Sequence, residues 1–334
     1  MKYARSSRAG RRQGLRASPS HLQHCAVRLN YSSNRVAGHW CAHGRYIARE
    51  SASTEPEKSG FGAKTVGVDI ASELRNWQSG ADPRLWKLII SPEFGERLDL
   101  KQLTRDVMGR MESDLHTSLE WVAVSHFNTE HPHVHVALRG VDTQGEEFKL
   151  DRDYIKNGLR AVAQHFATVQ LGYRTEQDAT VALKRQVPLQ RFTPLDRSIL
   201  SGAQTLAGVS NEFSVTADPT RPGLGRFAMV REQSMASWLK TLQTMGLARA
   251  DGAHRWQVRC DLETALRAMQ RVADKQKTLA AHGALLSDQR LQLSAPSWRD
   301  INSVEGRVLS HGEEDGGSRF LLLEATEGRV YYLR

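Results

Sequence analysis

Apolar positions along the chain follow two periods, and the switches between them outline the elements. From Cys25 to Tyr31 (CAVRLNY) apolar and polar residues alternate, which predicts a strand with one buried face. Asn34 to Gly38 is a turn-rich break, and Ala42 to Glu50 (AHGRYIARE) predicts the first turns of a helix carrying Tyr46. Ser51 to Gly62 is a polar loop with Pro, Gly and Ser. Trp86 to Ile90 (WKLII) is a short apolar run that stops at Ser91-Pro92, as a buried strand does. Leu100, Leu103, Val107, Met108, Met111 and Leu115 recur with helical spacing. Trp121 to Val124 and His133 to Leu138 predict two more strands. Leu159, Val162, Phe166 and Val169 predict another helix, closed by Leu171-Gly172. Strands and helices mix without strict βαβ alternation, so the expected class is α+β, an antiparallel sheet with helices on one face.

Periodicity fades over 176–228, where Gly202, Gly208, Pro219, Pro222, Gly223 and Gly225 predict a linker or irregular segment. It returns near Phe227. Met235, Trp238, Leu239, Leu242 and Met245 form a helical stripe stopped by Gly246. An Asp251-Gly252 turn, a strand at Trp256 and Val258, and a helix from Leu262 come next. That order resembles part of a winged-helix unit over 229–295, suited to DNA. The pattern from Val304 to Leu333 is β, and the halt at Arg334 straight after an apolar run suggests a truncated β segment over 300–334.

Composition narrows the class. At 334 residues the chain holds two or three domains, and no apolar run reaches a membrane span, so no membrane insertion is expected. Three cysteines, with no CxxC pair, argue for a reducing, cytoplasmic setting. A net charge of +9 favours polyanions. Residues 1–20 hold six Lys or Arg and no acid, which predicts a disordered basic arm over 1–24 that touches phosphates.

The chemistry concentrates in His126-Phe127-Asn128-Thr129-Glu130-His131-Pro132-His133-Val134-His135. On a strand His131, His133 and His135 share one face, and several buried imidazoles are most simply satisfied by a divalent metal. Pro132 makes the His131 end a poorer ladder segment. His126 joins them from just upstream, so four imidazoles are candidate ligands. Imidazole ligation tolerates Zn, Mn, Co and Ni, while an open phosphate site commonly uses Mg or Mn, so Mg or Mn is the expected ion and Zn the alternative. Tyr46 beside Arg45 offers a nucleophile suited to phosphate, with Tyr31 as the rival at a strand end.

These stretches together resemble the conjugative relaxases, the HUH-type single-strand endonucleases, and most closely the branch that includes the border-nicking endonuclease of T-DNA transfer. His43-Gly44-Arg45-Tyr46-Ile47-Ala48-Arg49 is similar to that branch's tyrosine motif, Leu88 to Glu93 to its second motif, and Trp121 to Gly140 to its histidine motif. The resemblance covers residues 25–175. It implies a five-stranded antiparallel sheet with the histidine strand central, Tyr46 as nucleophile and Ser91 as a DNA contact near the scissile phosphate. It further implies His126, His133 and His135 as the metal ligands, with Arg45, Arg49, His131 and Arg139 at the substrate. Asn128 stands where many relaxases carry an aspartate, and an amide orients an imidazole without raising its basicity.

What the resemblance implies for function is nicking of single-stranded DNA at a transfer origin, through a 5′-phosphotyrosine intermediate. Its implied partners are relaxosome accessory proteins and a type IV secretion coupling protein, serving a plasmid or integrative element. A rolling-circle replication initiator or transposase shares the histidine pair. A non-catalytic DNA-binding regulator with a structural metal is the alternative from another class, disfavoured because Cys25 and Cys41 lie far from the cluster in sequence.

Overall fold

The run WKLII lacks alternation because both sides of its strand are covered. Trp86, Leu88 and Ile90 belong to one buried cluster, and Leu85 to another on the opposite side. The structure, a computed structural model, describes residues 2–4, 21–49, 60–127, 131–202, 211–282, 292–294, 303–313 and 319–333. They divide into a first unit, residues 1–174 with 312–319, and a second, residues 175–311 with 320–334.

In chain order the first unit contains β1 (Lys2–Ala4), β2 (Cys25–Ser33), α1 (His39–Arg49), β3 (Gly60–Phe61) and β4 (Val66–Val68). It continues with α2 (Ile70–Ser79), β5 (Arg84–Pro92), α3 (Leu100–Leu115), β6 (Leu119–His126), β7 (His133–Asp142), β8 (Phe148–Leu150) and α4 (Leu159–Leu171). Six strands form one sheet in the order β2-β5-β7-β6-β3-β4, antiparallel throughout. The histidine strand β7 lies inside it, between β5 and β6. The fold is α+β, as expected, with six strands where five were implied.

Helices cover both faces, whereas the sequence pattern pointed to one. Leu103, Val107 and Met111 of α3 and Leu159 and Ala163 of α4 pack on Leu88, Ile90, Val134 and Val136. On the other face Trp40 and Ile47 of α1 and Ile70, Leu74 and Trp77 of α2 meet Leu85, Val122, Val124 and Ala137. α2 fell in a stretch without an assigned element, yet its signals are local. Ile70, Leu74 and Trp77 are spaced by four and three, and the Asp69 carboxylate accepts from Ser72 N at 3.0 Å as an N-cap. Gly44 lets α1 approach α2, since a Cβ there would sit 2.8 Å from Ala71 Cα.

The basic arm over 1–24 needs revision at both ends. Lys2–Ala4 pair in parallel with Phe148–Leu150 as β1 and β8. At the other end Gln23 N donates to Thr168 Oγ1, and Arg174 N donates to the His21 carbonyl. Residues 5–20 lie outside the described residues.

The described residues of 176–228 are not a linker. They supply α5 (Glu176–Gln186), α6 (Pro194–Gly202) and β9 (Glu212–Thr216) to the second unit, followed by α7 (Arg226–Thr244), β10 (Ala248–Ala250), β11 (Arg255–Arg259) and α8 (Leu262–His282). α5 opens on a reciprocal cap between Thr175 and Asp178. Leu195, Ile199, Phe213 and Val215 share one core with Trp238, Leu242, Trp256 and Leu266. The buried Asp196 carboxylate accepts from the Trp238 indole at 2.6 Å. β9 pairs with β11, and β11 with β10. A mixed sheet comes last, β12 (Gln292–Ser294), β13 (Gly306–Glu313), β14 (Arg319–Ala325) and β15 (Arg329–Leu333), in the order β12-β15-β14-β13. Among the described residues no helix is long and apolar enough to cross a membrane.

Candidate active site

Period-two alternation, continued across the ladders, decides what faces α1 and α2. Leu85 and Ala137 lie in that core, so Lys87, Ile89 and Ser91 of β5 and His133, His135 and Arg139 of β7 share the face. Val122 and Val124 put His126 there too. Across β6 and β7, His126 is paired with His133, and Val124 with His135.

The three imidazoles converge. Ring centroids are 5.2 Å apart for His126 and His133, 4.7 Å for His126 and His135, and 5.0 Å for His133 and His135. One nitrogen from each falls within 4.8 Å of the others. His133 Nε2 and His135 Nε2 are 3.1 Å apart. Two nitrogens each about 2.1 Å from one ion lie roughly 3.0–3.4 Å apart at ordinary coordination angles, so this spacing suits a shared metal.

Hydrogen bonds to main-chain carbonyls select the nitrogens that can bind. His126 Nε2 lies 2.8 Å from the Ile47 carbonyl, which can only accept, so the ring donates there and turns its Nδ1 lone pair to the site. That Nδ1 is sealed from solvent. His133 Nδ1 likewise donates to the His131 carbonyl at 2.8 Å, leaving Nε2 for the site. Metal-bound histidines commonly use their second nitrogen in this way. Burial first, and then the neighbouring His126, His133 and His43 rings, hold the His135 pKa well below its ordinary value. A neutral ring is the form that binds metal.

α1 brings the tyrosine motif onto this face. Tyr46 is half-buried against the α1/α2 core, and the next residue, Ile47, supplies the carbonyl that orients His126. Arg45 is exposed on the same helix, while the side chain of Arg49 lies outside the described residues. Tyr31 points elsewhere. It pairs with Trp86, stacks edge-on against that ring at 5.2 Å, and is 56% exposed on the α3/α4 face. Ser91 is half-buried one position beyond the Ile90–Val134 pair, which brings it beside His133. His131 acts on the site through its carbonyl, and Asn128 lies outside the described residues.

Arg139 is held by two carboxylates. Its guanidinium meets Asp82 at 2.6 and 3.0 Å and Glu120 at 2.6 Å, at the end of the face remote from His133. It joins β5's approach to β6 and β7. Two residues without an expected role do lie near the triad. His43, half-buried on α1, has its pKa pushed down to about 3 by desolvation and by the charges of Lys87 and His39. Lys87 is a buried lysine on β5 and a diagonal neighbour of His135. A lysine inside an otherwise apolar strand run was a visible signal in WKLII.

Residues 54–167 match the family model for the MobA/VirD2-like relaxase nuclease domain. Residues 235–334 match a second model, described as a protein of unknown function (DUF3363). No curated protein matches the chain. The first match contains all three converging histidines and starts after Tyr46. With fold, imidazole cluster and family match coinciding in one stretch, the chain carries a relaxase nuclease domain, a DNA-nicking module of the MobA/VirD2-like kind.

Proposed function

We propose that this domain nicks single-stranded DNA at a transfer origin by attack of Tyr46, as the branch resemblance implies. The observation that carries the reading is the hydrogen bond from His126 to the Ile47 carbonyl, which ties the tyrosine helix to the histidine cluster. The phenol oxygen forms a bond to phosphorus as the bond to the 3′-oxygen breaks. The DNA then carries a free 3′-hydroxyl, and its 5′-phosphate is esterified to Tyr46. One phosphodiester replaces another, so attack by a 3′-hydroxyl reverses the step and rejoins the strand. Such a covalent species suits transfer of a plasmid or integrative element through a type IV secretion coupling protein, with accessory proteins opening the duplex.

His126, through Nδ1, and His133 and His135, through Nε2, would hold a divalent ion. That ion, when bound, draws charge from the non-bridging oxygens of the scissile phosphate. The all-imidazole set lacks the oxygen donors Mg prefers, which favours Mn among the ions expected and leaves Zn as the softer candidate. Ser91 and Arg45 are assigned to holding the strand, together with Arg49 and the His131 side chain. A DNA-binding role for the second unit belongs to the same proposal.

Tyr46→Phe tests the reading. It removes one hydroxyl, so metal and DNA binding should persist while the protein–DNA adduct on denaturing gels disappears. Tyr31→Phe should remain active. An adduct mapped by mass spectrometry to Tyr31, or products with a free 5′-phosphate, would overturn the mechanism.

A further inference from the structure

The face carrying the histidines continues past them to the edge of the sheet. Along one row of cross-strand neighbours, Arg28 of β2 lies opposite Ile89 of β5, Ile89 opposite His135, and His135 opposite Val124. Exposure falls along the row, from an exposed Arg28 through a half-buried Ile89 to His135 at 8% and Val124 at 1%. The next row does the same, from exposed Ala26 through half-buried Ser91 and His133 to fully buried His126. Among the described residues the site is closed at β6 and opens toward β2.

Alternation decides where Arg28 points. Val27 and Leu29 pack against the α3/α4 core, so Ala26, Arg28 and Asn30 face the histidine side. β2 and β7 are two strand spacings apart, about 10 Å, a distance that an extended arginine and one phosphate together span. Arg84 and Arg139 of the same sheet are held by carboxylates, Glu147 in one case and Asp82 with Glu120 in the other. Among the described residues Arg28 makes no such pair, and its fork is presented to solvent. A guanidinium in that state, at the open side of a phosphate-cleaving site, suits a backbone phosphate.

We propose that single-stranded DNA reaches the histidine cluster across β2, with Arg28 holding a phosphate adjacent to the one cleaved. The proposal rests on the single-strand nuclease reading above and adds to it a direction of approach and a contact. Ala26, small and exposed in the neighbouring row, leaves room for the strand to lie against the sheet.

The test is binding of a fluorescent oligothymidylate through a salt titration, which needs no knowledge of the transfer origin. Arg28→Ala should weaken binding and lower the slope of log K against log salt by about 0.7, the value for one phosphate contact on a single strand. Arg28→Lys should restore the slope, and Ala26→Glu should weaken binding. Arg160→Ala, which removes an exposed cation on α4 beneath the opposite face, should leave the slope unchanged. An unchanged slope for Arg28→Ala, or an equal loss for Arg160→Ala, overturns the path across β2. The same Arg28 dependence on a duplex of equal length overturns it as well. If Arg28→Ala binds normally and still forms the covalent adduct, the path is wrong while the nuclease reading stands. Failure of the unmodified protein to bind oligothymidylate at all sinks both.

Discussion

At the scale of single residues, the histidine cluster was legible because period two puts alternate side chains on one face without any long-range information. The role of Arg139 was not, because its partners Asp82 and Glu120 lie 57 and 19 positions away in sequence. Arg139→Met leaves the buried Asp82 without its cation and is expected to cost about 2–3 kcal/mol. Urea denaturation should show that loss, while cleavage per folded molecule stays near normal. A selective loss of DNA binding would instead return Arg139 to the substrate. The pH dependence has a definite sign. His43 and His135 have folded pKa values below the unfolded value of about 6.5, so the unfolded chain binds more protons in between. Their contribution to stability is complete above about pH 6.5 and is lost as pH falls through their folded values, about 3 for His43. Thermal unfolding of chelator-treated protein should show the midpoint dropping over that range. His43→Gln should flatten part of the drop, and an NMR titration placing His43 near 6.5 would contradict its burial.

At the scale of elements, helices with long apolar stripes and strands with clear alternation could be read directly. α2 is ten residues long and its cap is a single Asp, so its signals are easily passed over. α5 is a mostly polar helix, and β9 gains its meaning only through pairing with β11, more than forty positions later in the chain. Close approach of α1 and α2 is a property of one residue. Gly44→Ala puts a methyl group 2.8 Å from the Ala71 backbone, so α1 must shift, at a cost of about 1–3 kcal/mol. The expected signature is a fall in adduct formation greater than the fall in oligothymidylate binding, because Tyr46 and Ile47 ride on the displaced helix. Equal losses would show that the helix position does not matter to the chemistry. Glu93 clips the N-terminal residues to β5 and α4. Burial works against its charge, yet hydrogen bonds from His24 and Arg174 prevail and hold its pKa below the ordinary value. Its contribution to stability is present above the unfolded value and is lost as pH falls further.

At the scale of the whole molecule, the sequence pattern separates the nuclease stretch from the C-terminal half but misplaces the start of the second unit. Pro219, Pro222 and Gly223 mark turns inside a folded unit, and composition alone does not distinguish those from a linker. Every histidine of the cluster, the tyrosine helix and both helical layers fall within residues 21–174. A chain ended at Arg174 is therefore expected to bind metal and to form the covalent adduct. Its DNA affinity should fall if the second unit contributes contacts. Loss of metal binding in the shortened chain, with its circular dichroism intact, would show that the first unit is chemically incomplete alone.

The hydrogen bond between His126 and Ile47 makes the nuclease site thermodynamically reciprocal. A cation engaged at Nδ1 makes the same ring a better donor at Nε2, so loading the cluster should tighten α1 onto the sheet. By linkage, release of α1 should weaken cation affinity by the same factor by which the bound cation favours its docking. Hydrogen exchange of the α1 amides should slow when metal is added and should lose that response in His126→Asn. The helix that carries Tyr46 would then report whether the site is charged, and the unloaded protein would hold that side chain less firmly.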